Sequence, residues 1–274
     1  MKRTYVARSF RVVTLPLALI LVILVSFAAS PPVSGQGSDK TAAPQWFQLT
    51  IVDIQSGMAA DWRKVQQEDV LSALKKAGGA GREVWTTGVF GIGSQYAIIT
   101  PIQSFAQFDG QSPMVRALGQ EQAAALGARV AKFEKGRRTY ALRTRPDLSY
   151  VPDPNRAPKL ALVSFVELAN GRQSDFETLI KADVLPAMKK AQVKGYSVAQ
   201  VVYGGSTNEV ITVVAYDTFE EIGKGHPFDI ALGSAGAAKL MQKSASIVTR
   251  LERHISRYVP ELSFSAGKMT STQN

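Results

Sequence analysis

Hydrophobic and polar positions alternate in two short segments that lie far apart in the chain. Residues 47–54 and 161–168 both follow a period of two, as Leu49 and Ile51 show against their polar neighbours. This period predicts a half-buried strand. Apolar positions spaced by three and four follow each strand, most clearly within 176–188, and predict an amphipathic helix.

The same pattern occurs twice because the chain matches itself without a gap at an offset of 114 residues, 44–150 on 158–264. The matched pairs include Pro44 with Pro158, Gly57 with Gly171, Asp61 with Asp175, Gly91 with Gly205, Phe105 with Phe219, and Pro146 with Pro260. An ungapped match of this length requires every element and loop to keep its length. The sequence therefore predicts a duplicated domain.

Each copy is predicted to have the order β-α-β-β-α-β, which is the split unit of ferredoxin-like folds. The predicted strands are 47–54, 83–90, 95–102 and 139–143, then 161–168, 197–203, 209–216 and 253–257. Asp61 and Asp175 are predicted N-caps of the first helix in each copy, and the second helices cover 117–132 and 231–246. Pro186 predicts a kink or break.

A four-stranded sheet with both helices on one face leaves its other face bare. Two such sheets in one chain can press these faces together and close a barrel-like interior. The predicted fold class is α+β, with two tandem ferredoxin-like units at 45–150 and 158–264 packed sheet to sheet. This arrangement is an intramolecular dimeric α/β barrel and predicts a monomeric pseudo-dimer.

Four segments of the second copy carry a resemblance to a known superfamily. They are Phe-Glu-Thr-Leu-Ile at 176–180, Leu-Pro-Ala-Met-Lys-Lys-Ala at 185–191, Tyr-Gly-Gly at 203–205 and Tyr-Asp-Thr-Phe-Glu-Glu at 216–221. The copy resembles dimeric α/β-barrel proteins, which include antibiotic-biosynthesis monooxygenase-like, stress-responsive and NIPSNAP-like domains. The resemblance covers 44–264 and implies the fold. It also implies two possible activities, because some relatives bind haem through a histidine and others are cofactor-independent monooxygenases or isomerases.

The N-terminal segment has the pattern of an export signal. Lys2, Arg3, Arg8 and Arg11 precede an apolar run at 12–29, and small residues follow it. Residues 1–35 are therefore predicted to be a signal peptide, and the protein to be periplasmic or extracellular. An uncleaved membrane anchor is the alternative, since the run is marginally long enough to span a bilayer. Residues 36–44 and 265–274 are predicted to be a disordered linker and tail.

Composition narrows the candidate chemistry. The chain has no cysteine, so an exported form depends on burial alone for its stability. The formal net charge is +10, but four of the 32 basic residues lie in the signal segment. No basic run with interleaved aromatic residues occurs, so nucleic acid is not an expected partner.

The two histidines have no histidine at the matched position. His226 and His254 correspond to Ser112 and Tyr140, so the fold itself requires neither. His254 and Tyr140 are the candidate catalytic residues, because an imidazole titrates near neutral pH and can exchange a proton with a ligand. His226 is predicted to be a loop or cap residue. Haem held by either histidine is the cofactor that the resemblance allows; otherwise no cofactor and no metal site are expected.

Two further patterns allow a functional and a structural interpretation. Asp53 and Glu167 are matched acids at strand ends. They can act in general acid–base catalysis, or they can lie at the rim of the barrel and pair with a nearby Arg or Lys. Glycine clusters at 88–93 and 204–205 lie between strands and not at a strand-to-helix turn. They therefore do not predict a dinucleotide site.

Strand parity nominates nine polar and aromatic residues for the interior between the copies. They are Gln48, Thr50, Trp85, Tyr140, Ser164, Tyr203, Thr212, Tyr216 and His254. Such a lining fits a small-molecule pocket or a packed core with internal hydrogen bonds. The predicted role is binding of a small apolar or aromatic molecule. The alternatives are a cofactor-independent monooxygenase or isomerase-like enzyme, and a structural or interaction module of the cell envelope with a filled core.

Overall fold

The computed structural model describes residues 43–153 and 156–265. The predicted signal peptide lies outside these residues, as do the linker and the tail apart from their innermost positions. Among the helices of the described ranges, none is long and apolar enough to cross a membrane.

The first half, residues 43–153, and the second half, residues 156–265, contain matching elements. The first half has strands β1 (Trp46–Ile54), β2 (Gly81–Phe90), β3 (Gln95–Ile102) and β4 (Glu134–Thr144), and helices α1 (Ala59–Val65), α2 (Leu71–Lys76), α3 (Pro113–Leu118) and α4 (Gln120–Ala131). The second half has β5 (Leu160–Leu168), β6 (Tyr196–Tyr203), β7 (Glu209–Tyr216), β8 (Val248–Tyr258) and the short β9 (Phe264–Ser265), with α5 (Gln173–Leu179), α6 (Leu185–Lys190), α7 (Phe219–Gly223) and α8 (Pro227–Ser244).

Eight of the described strands form one closed antiparallel barrel. Their order is β3-β1-β4-β6-β7-β5-β8-β2, and β2 pairs back with β3. The halves are joined by backbone pairing of β4 with β6 and of β2 with β8. The barrel therefore closes edge to edge, whereas the sequence predicted one sheet packed on another. Closure gives each long strand two neighbours and removes the exposed edges that promote aggregation.

The first helical segment of each half contains a π-helical turn. Gln66–Val70 separates α1 from α2, and Ile180–Val184 separates α5 from α6. Pro186 follows the second turn at the start of α6, where the sequence predicted a kink or a break; the backbone stays helical there and widens into the π-helical turn. The first half has the same turn with Ser72 at the matched position, so proline is not its cause.

Asp61 and Asp175 are not the N-caps that the sequence predicted. Helices α1 and α5 begin two residues earlier, after Met58 and Arg172. Both carboxylates lie in the first helical turn, where their negative charge interacts favourably with the positive end of the helix dipole. Composition alone does not separate these two positions, because acidic residues are frequent at both.

The second helical segments are broken at matched glycines. Gly119 has φ +79° between α3 and α4, and Gly233 has φ +68° inside α8. The helices predicted at 117–132 and 231–246 are therefore present but interrupted near their starts, because a backbone with this positive φ cannot continue an α-helix.

The barrel wall separates two layers of core. The inner layer is centred on Phe47, Leu49, Trp85, Leu142 and Val201. Outside the wall, the helices bury a second layer in each half, which contains Trp62 in the first half and Phe176 in the second. Both faces of the strands are thus largely buried.

We expect Gly204→Ala to destabilise the closed barrel. Gly204 follows β6 with φ +89°, and a Cβ there would lie 2.2 Å from the carbonyl oxygen of Thr139 on β4. Backbone strain and this clash should lower the free energy of unfolding by about 2–3 kcal/mol, measured by urea denaturation. Gly127→Ala in α4 is the control, because its Cβ meets nothing within 4 Å and should stabilise by roughly 0.5–1 kcal/mol. Equal stability of the two variants would contradict this account.

Candidate functional site

The nine residues nominated for the interior lie on different faces of the barrel wall. Trp85, Tyr140 and His254 do line the barrel interior. Tyr203 is 60% exposed and stacks on Trp46 on the outer surface. Whether these side chains bind a ligand stays a prediction.

The predicted inward orientation is wrong for the remaining five, Gln48, Thr50, Ser164, Thr212 and Tyr216. They lie on the helix-facing side of their strands: Thr50 alternates with inward Leu49 and Ile51, Ser164 and Thr212 line a cavity beneath the helices, and Tyr216 packs in the outer core. On β1, β5 and β7 the inward positions are apolar, with Leu49 and Ile51, Val163 and Phe165, and Ile211 and Val213 facing the closed interior, which is shielded from water.

The chamber inside the barrel is small. Its volume is about 70 Å³, and its walls include Leu49, Ile99, Val163 and Ile211. Small-molecule pockets usually measure roughly 300–1,000 Å³. The chamber by itself is therefore too small for the aromatic ligand that the sequence predicted between the two halves.

One end of the barrel opens into a larger, charged cavity, called here the barrel mouth. Its volume is about 460 Å³, and it is lined by Asp53, Gln95, Tyr140, Glu167, Glu209, Glu252 and His254, among others. The two halves contribute matched positions, since Asp53 corresponds to Glu167, Gln95 to Glu209 and Tyr140 to His254. The mouth therefore has approximate twofold symmetry in position but not in chemistry.

His254 and Tyr140 occupy equivalent places in the mouth. The imidazole of His254 is 6% exposed, its Nδ1 has no hydrogen-bond partner, and its Nε2 lies 3.3 Å from Oε1 of Glu252. The Tyr140 hydroxyl accepts a hydrogen bond from Nη1 of Arg138 at 3.1 Å. Each ring packs on a matched glycine, Gly91 for His254 and Gly205 for Tyr140, where an added Cβ would lie 2.7 Å from the ring.

The matched acids lie at the rim, as predicted, but with different partners. Asp53 accepts a hydrogen bond from Nε2 of Gln95 at 2.8 Å, and Glu167 accepts one from the Ser206 hydroxyl at 2.7 Å. Neither forms an ion pair with a described Arg or Lys. Glu209 lies directly opposite Glu167. Burial, and then the charge of Glu167, raises the pKa of Glu209.

The second half contains a separate cavity of about 380 Å³ between the sheet and the helices, called here the cleft. Its walls are mostly apolar, with a few polar groups; they include Phe176, Met188, Leu240, Ser164, His226 and Arg253. This size and this mixture are typical of small-molecule sites.

The matched space in the first half is filled. Trp62, which corresponds to Phe176, is fully buried and contacts Tyr96 at a ring separation of 4.5 Å. The indole Nε1 of Trp62 donates to Oε1 of Glu134 at 3.2 Å, and Arg137 pairs with the same carboxylate. In the second half, Val210, Val248 and Leu251 replace Tyr96, Glu134 and Arg137. Loss of the indole and the phenol leaves the cleft open.

Arg253 brings a positive charge to the open cleft. Its counterpart, Thr139, shares a hydrogen bond of 3.2 Å with Thr50, whereas Arg253 lies opposite Ser164 and forms no ion pair with a described carboxylate. Partial burial lowers the pKa of Arg253. Sequence reasoning treated Arg253 only as the start of a strand. The available signal was the position-by-position difference between the two copies.

His226 is held as a neutral imidazole at the edge of the cleft. Its Nδ1 accepts a hydrogen bond from the backbone N–H of Phe228 at 3.3 Å and so caps α8, as the sequence predicted. Burial first, and then the charge of Arg253, lowers the pKa of His226 to about 4. The cleft thus presents a neutral imidazole close to the Arg253 guanidinium.

The described histidines do not offer haem iron a prepared ligand. A metal-bound histidine usually binds through one ring nitrogen while the other donates its N–H to an acceptor. In His226 the second nitrogen, Nδ1, already accepts the Phe228 N–H, so the neutral ring carries its proton on Nε2. In His254, Nε2 lies 3.3 Å from Oε1 of Glu252 and Nδ1 has no partner, but Nδ1 is packed against Gly91, so an iron atom has no room beside it. As the two side chains lie in this structure, neither therefore fits haem.

Comparison with solved structures identifies the fold. The chain is similar to a candidate monooxygenase from Fusobacterium nucleatum subsp. nucleatum, with TM-score 0.54 and 8% identity over 79% of this chain and 93% of that one. It is also similar to an anthrone oxidase-like protein, with TM-score 0.54 and 11% identity over 84% and 97%. A mutant chlorite dismutase from Candidatus Nitrospira defluvii matches with TM-score 0.50 and 9% identity over 81% and 94%.

These structures are dimeric α/β-barrel proteins of the monooxygenase-like and chlorite dismutase-like groups, so the predicted resemblance is confirmed at the level of fold. No protein-family model and no curated protein sequence matches the chain.

We expect the neutral state of His226 to give the folded protein a specific loss of stability in acid. Its pKa is about 4 in the folded protein and roughly 6.5 when unfolded. Between these values the unfolded chain binds a proton that the folded chain does not, so the contribution to the free energy of unfolding falls as pH falls from 6.5 to 4. His226→Asn keeps a capping acceptor but does not titrate. In urea denaturation at pH 7 and pH 4.5, wild type should lose more stability than this variant; an equal loss would refute the assignment.

Proposed function

We propose that the chain binds a small, largely apolar molecule in the cleft of its second half. The observation that carries the proposal is the difference between the halves: Trp62 and Tyr96 fill a space that Phe176 and Val210 leave open. An unfilled apolar cavity costs stability, and the first half provides the filled alternative on the same backbone. The structural neighbours, which include monooxygenase-like proteins, are compatible with ligand binding.

We further propose that the two halves are tandem ferredoxin-like units that form a pseudo-dimer within one chain. The shared strand orders β4-β1-β3-β2 and β8-β5-β7-β6 support this, together with the ungapped sequence match. We also infer export of the protein, on the basic and apolar pattern of residues 1–35. Fractionation of the host cells tests export, because the protein should be found outside the cytoplasm. Mass spectrometry of the exported protein tests cleavage, because an intact 1–35 segment would contradict it.

Grafting the filled core of the first half into the second should abolish binding. The triple variant Phe176→Trp, Val248→Glu and Leu251→Arg copies the Trp62, Glu134 and Arg137 cluster, so the added indole N–H and carboxylate keep their partners. We expect 2-naphthol and 1-octanol to bind wild type in isothermal titration, and to bind the graft at least tenfold more weakly.

A matched control changes packing elsewhere. Val213→Ile adds one methylene to the barrel chamber, which Val213 lines, and leaves the cleft unchanged. This variant should bind both ligands as wild type does. If the folded graft retains wild-type affinity, or if only Val213→Ile loses it, the ligand does not occupy the cleft.

A second candidate function is oxidation of an aromatic substrate at the barrel mouth. It is favoured by His254, a buried imidazole whose Nδ1 has no partner, and by its proximity to the mouth that Tyr140 also lines. In this candidate His254 or Tyr140 moves a proton while the mouth orients the substrate, without a cofactor. The similarity to an anthrone oxidase-like protein suggests the substrate to try.

Anthrone in air-saturated buffer tests this candidate by the appearance of anthraquinone absorbance. We expect turnover above the buffer rate, and His254→Gln to lower kcat by about 10²-fold or more with KM nearly unchanged, as loss of a proton-transfer group predicts. Tyr140→Phe tests the other group in the same way. A rate equal to buffer, or a rate unaffected by both changes, excludes this role for the mouth.

A further inference from the structure

We propose that the cleft binds its ligand as an organic anion, with the carboxylate of an otherwise apolar acid held by Arg253. This inference rests on the proposed function of the cleft and specifies the chemical class of its ligand. An apolar body would pack against Phe176, Met188 and Leu240, and the head group would meet the guanidinium.

The formally charged side chains that line the cleft are both arginines, and one of them has no acidic partner among the described residues. The cleft has two arginines in its described lining, Arg250 and Arg253, and no aspartate or glutamate. Arg250 already pairs with Glu252. Arg253 forms no ion pair with a described residue and is exposed at the opening of the cleft. A planar guanidinium matches a carboxylate through two parallel hydrogen bonds, which favours an acid over a neutral ligand.

The first half shows that this charge is not required by the fold. There, Thr139 occupies the matched position and shares a hydrogen bond with Thr50. The second half has both the open cleft and the arginine. Arg253 is exposed, so water solvates its charge in the empty cleft, and the carboxylate of a ligand would replace part of that water beside the apolar walls.

His226 provides an internal reporter of charge at Arg253. The charged groups that act on its imidazole are Arg253, which lowers its pKa, and Asp229, which raises it. A carboxylate bound to Arg253 would offset the positive charge, and protonation of His226 would become easier. The pKa of His226 should therefore rise when an acid binds and should not rise when a neutral ligand binds, because a neutral ligand adds only burial.

The experiment compares two pairs of ligands that differ only in their head group. Octanoate is paired with 1-octanol, and 2-naphthoate with 2-naphthol, at pH 7.5 by isothermal titration. Wild type should bind each acid about tenfold more tightly than its neutral partner, which is the size expected of a charge-assisted hydrogen bond at a partly exposed site. Arg253→Met should remove this preference and leave the affinity for the two neutral ligands within twofold.

Matched variants separate local from general charge effects. Arg257 lies on the same strand as Arg253, but its guanidinium stacks on Phe219 and does not line the cleft. Arg257→Met should therefore leave all four affinities unchanged. Arg253→Lys keeps the charge without the planar fork and should retain an intermediate preference for the acids. NMR titration of the His226 ring with octanoate and 1-octanol gives a second readout in wild type, independent of how well any variant folds.

The outcomes distinguish the two proposals. Equal binding of acids and neutral partners by wild type, with no rise in the His226 pKa, would overturn the anion inference and leave the cleft as a neutral apolar site. An acid preference that survives Arg253→Met would place the carboxylate elsewhere and also overturn it. Absence of binding for all four ligands at millimolar concentration would overturn the proposed function of the cleft itself.

Discussion

Closure of the barrel is the constraint on which the rest of the structure depends. The pairing of β4 with β6 and of β2 with β8 turns two open four-stranded sheets into one wall without free edges. On β1, β5 and β7 the closed interior takes apolar side chains such as Leu49, Phe165 and Ile211. The other face of these strands lies under the helices, and there Ser164 and Thr212 line the cleft.

The two halves have the same backbone arrangement and can be compared position by position. Both share strand order, π-helical turns and glycine breaks, so differences between them are not demanded by the backbone. Replacement of Trp62 by Phe176 and of Thr139 by Arg253 changes volume and charge in the same outer core. In the barrel mouth the two halves differ in another way. Tyr140 and His254 occupy matched positions and each packs on a matched glycine, but one ring is a phenol and the other an imidazole.

The hydrophobic pattern predicted the strands and their order along the chain, because short runs of alternating or continuous apolar residues are separated by turn residues. It could not predict which face of β1 or β5 is inside, since both faces are buried in a barrel covered by helices. Leu49 and Thr50 are both below a tenth exposed, yet they lie in different layers. The N-cap prediction for Asp61 was wrong because aspartate is common both at the N-cap and in the first turn of a helix, and the sequence does not distinguish the two. Arg253 escaped notice because its role depends on a cavity that only packing reveals.

Covalent linkage of the halves has a consequence that a symmetric assembly cannot share. In a homodimer with a twofold interface, each substitution is copied into both subunits, so two pockets must open, fill or acquire charge together. Here Gly204 and Gly91 secure opposite seams within one polypeptide, and each side is free to change alone. One side can retain the packing that keeps the molecule folded while the other changes, so each chain has a single cleft of this kind among its described residues.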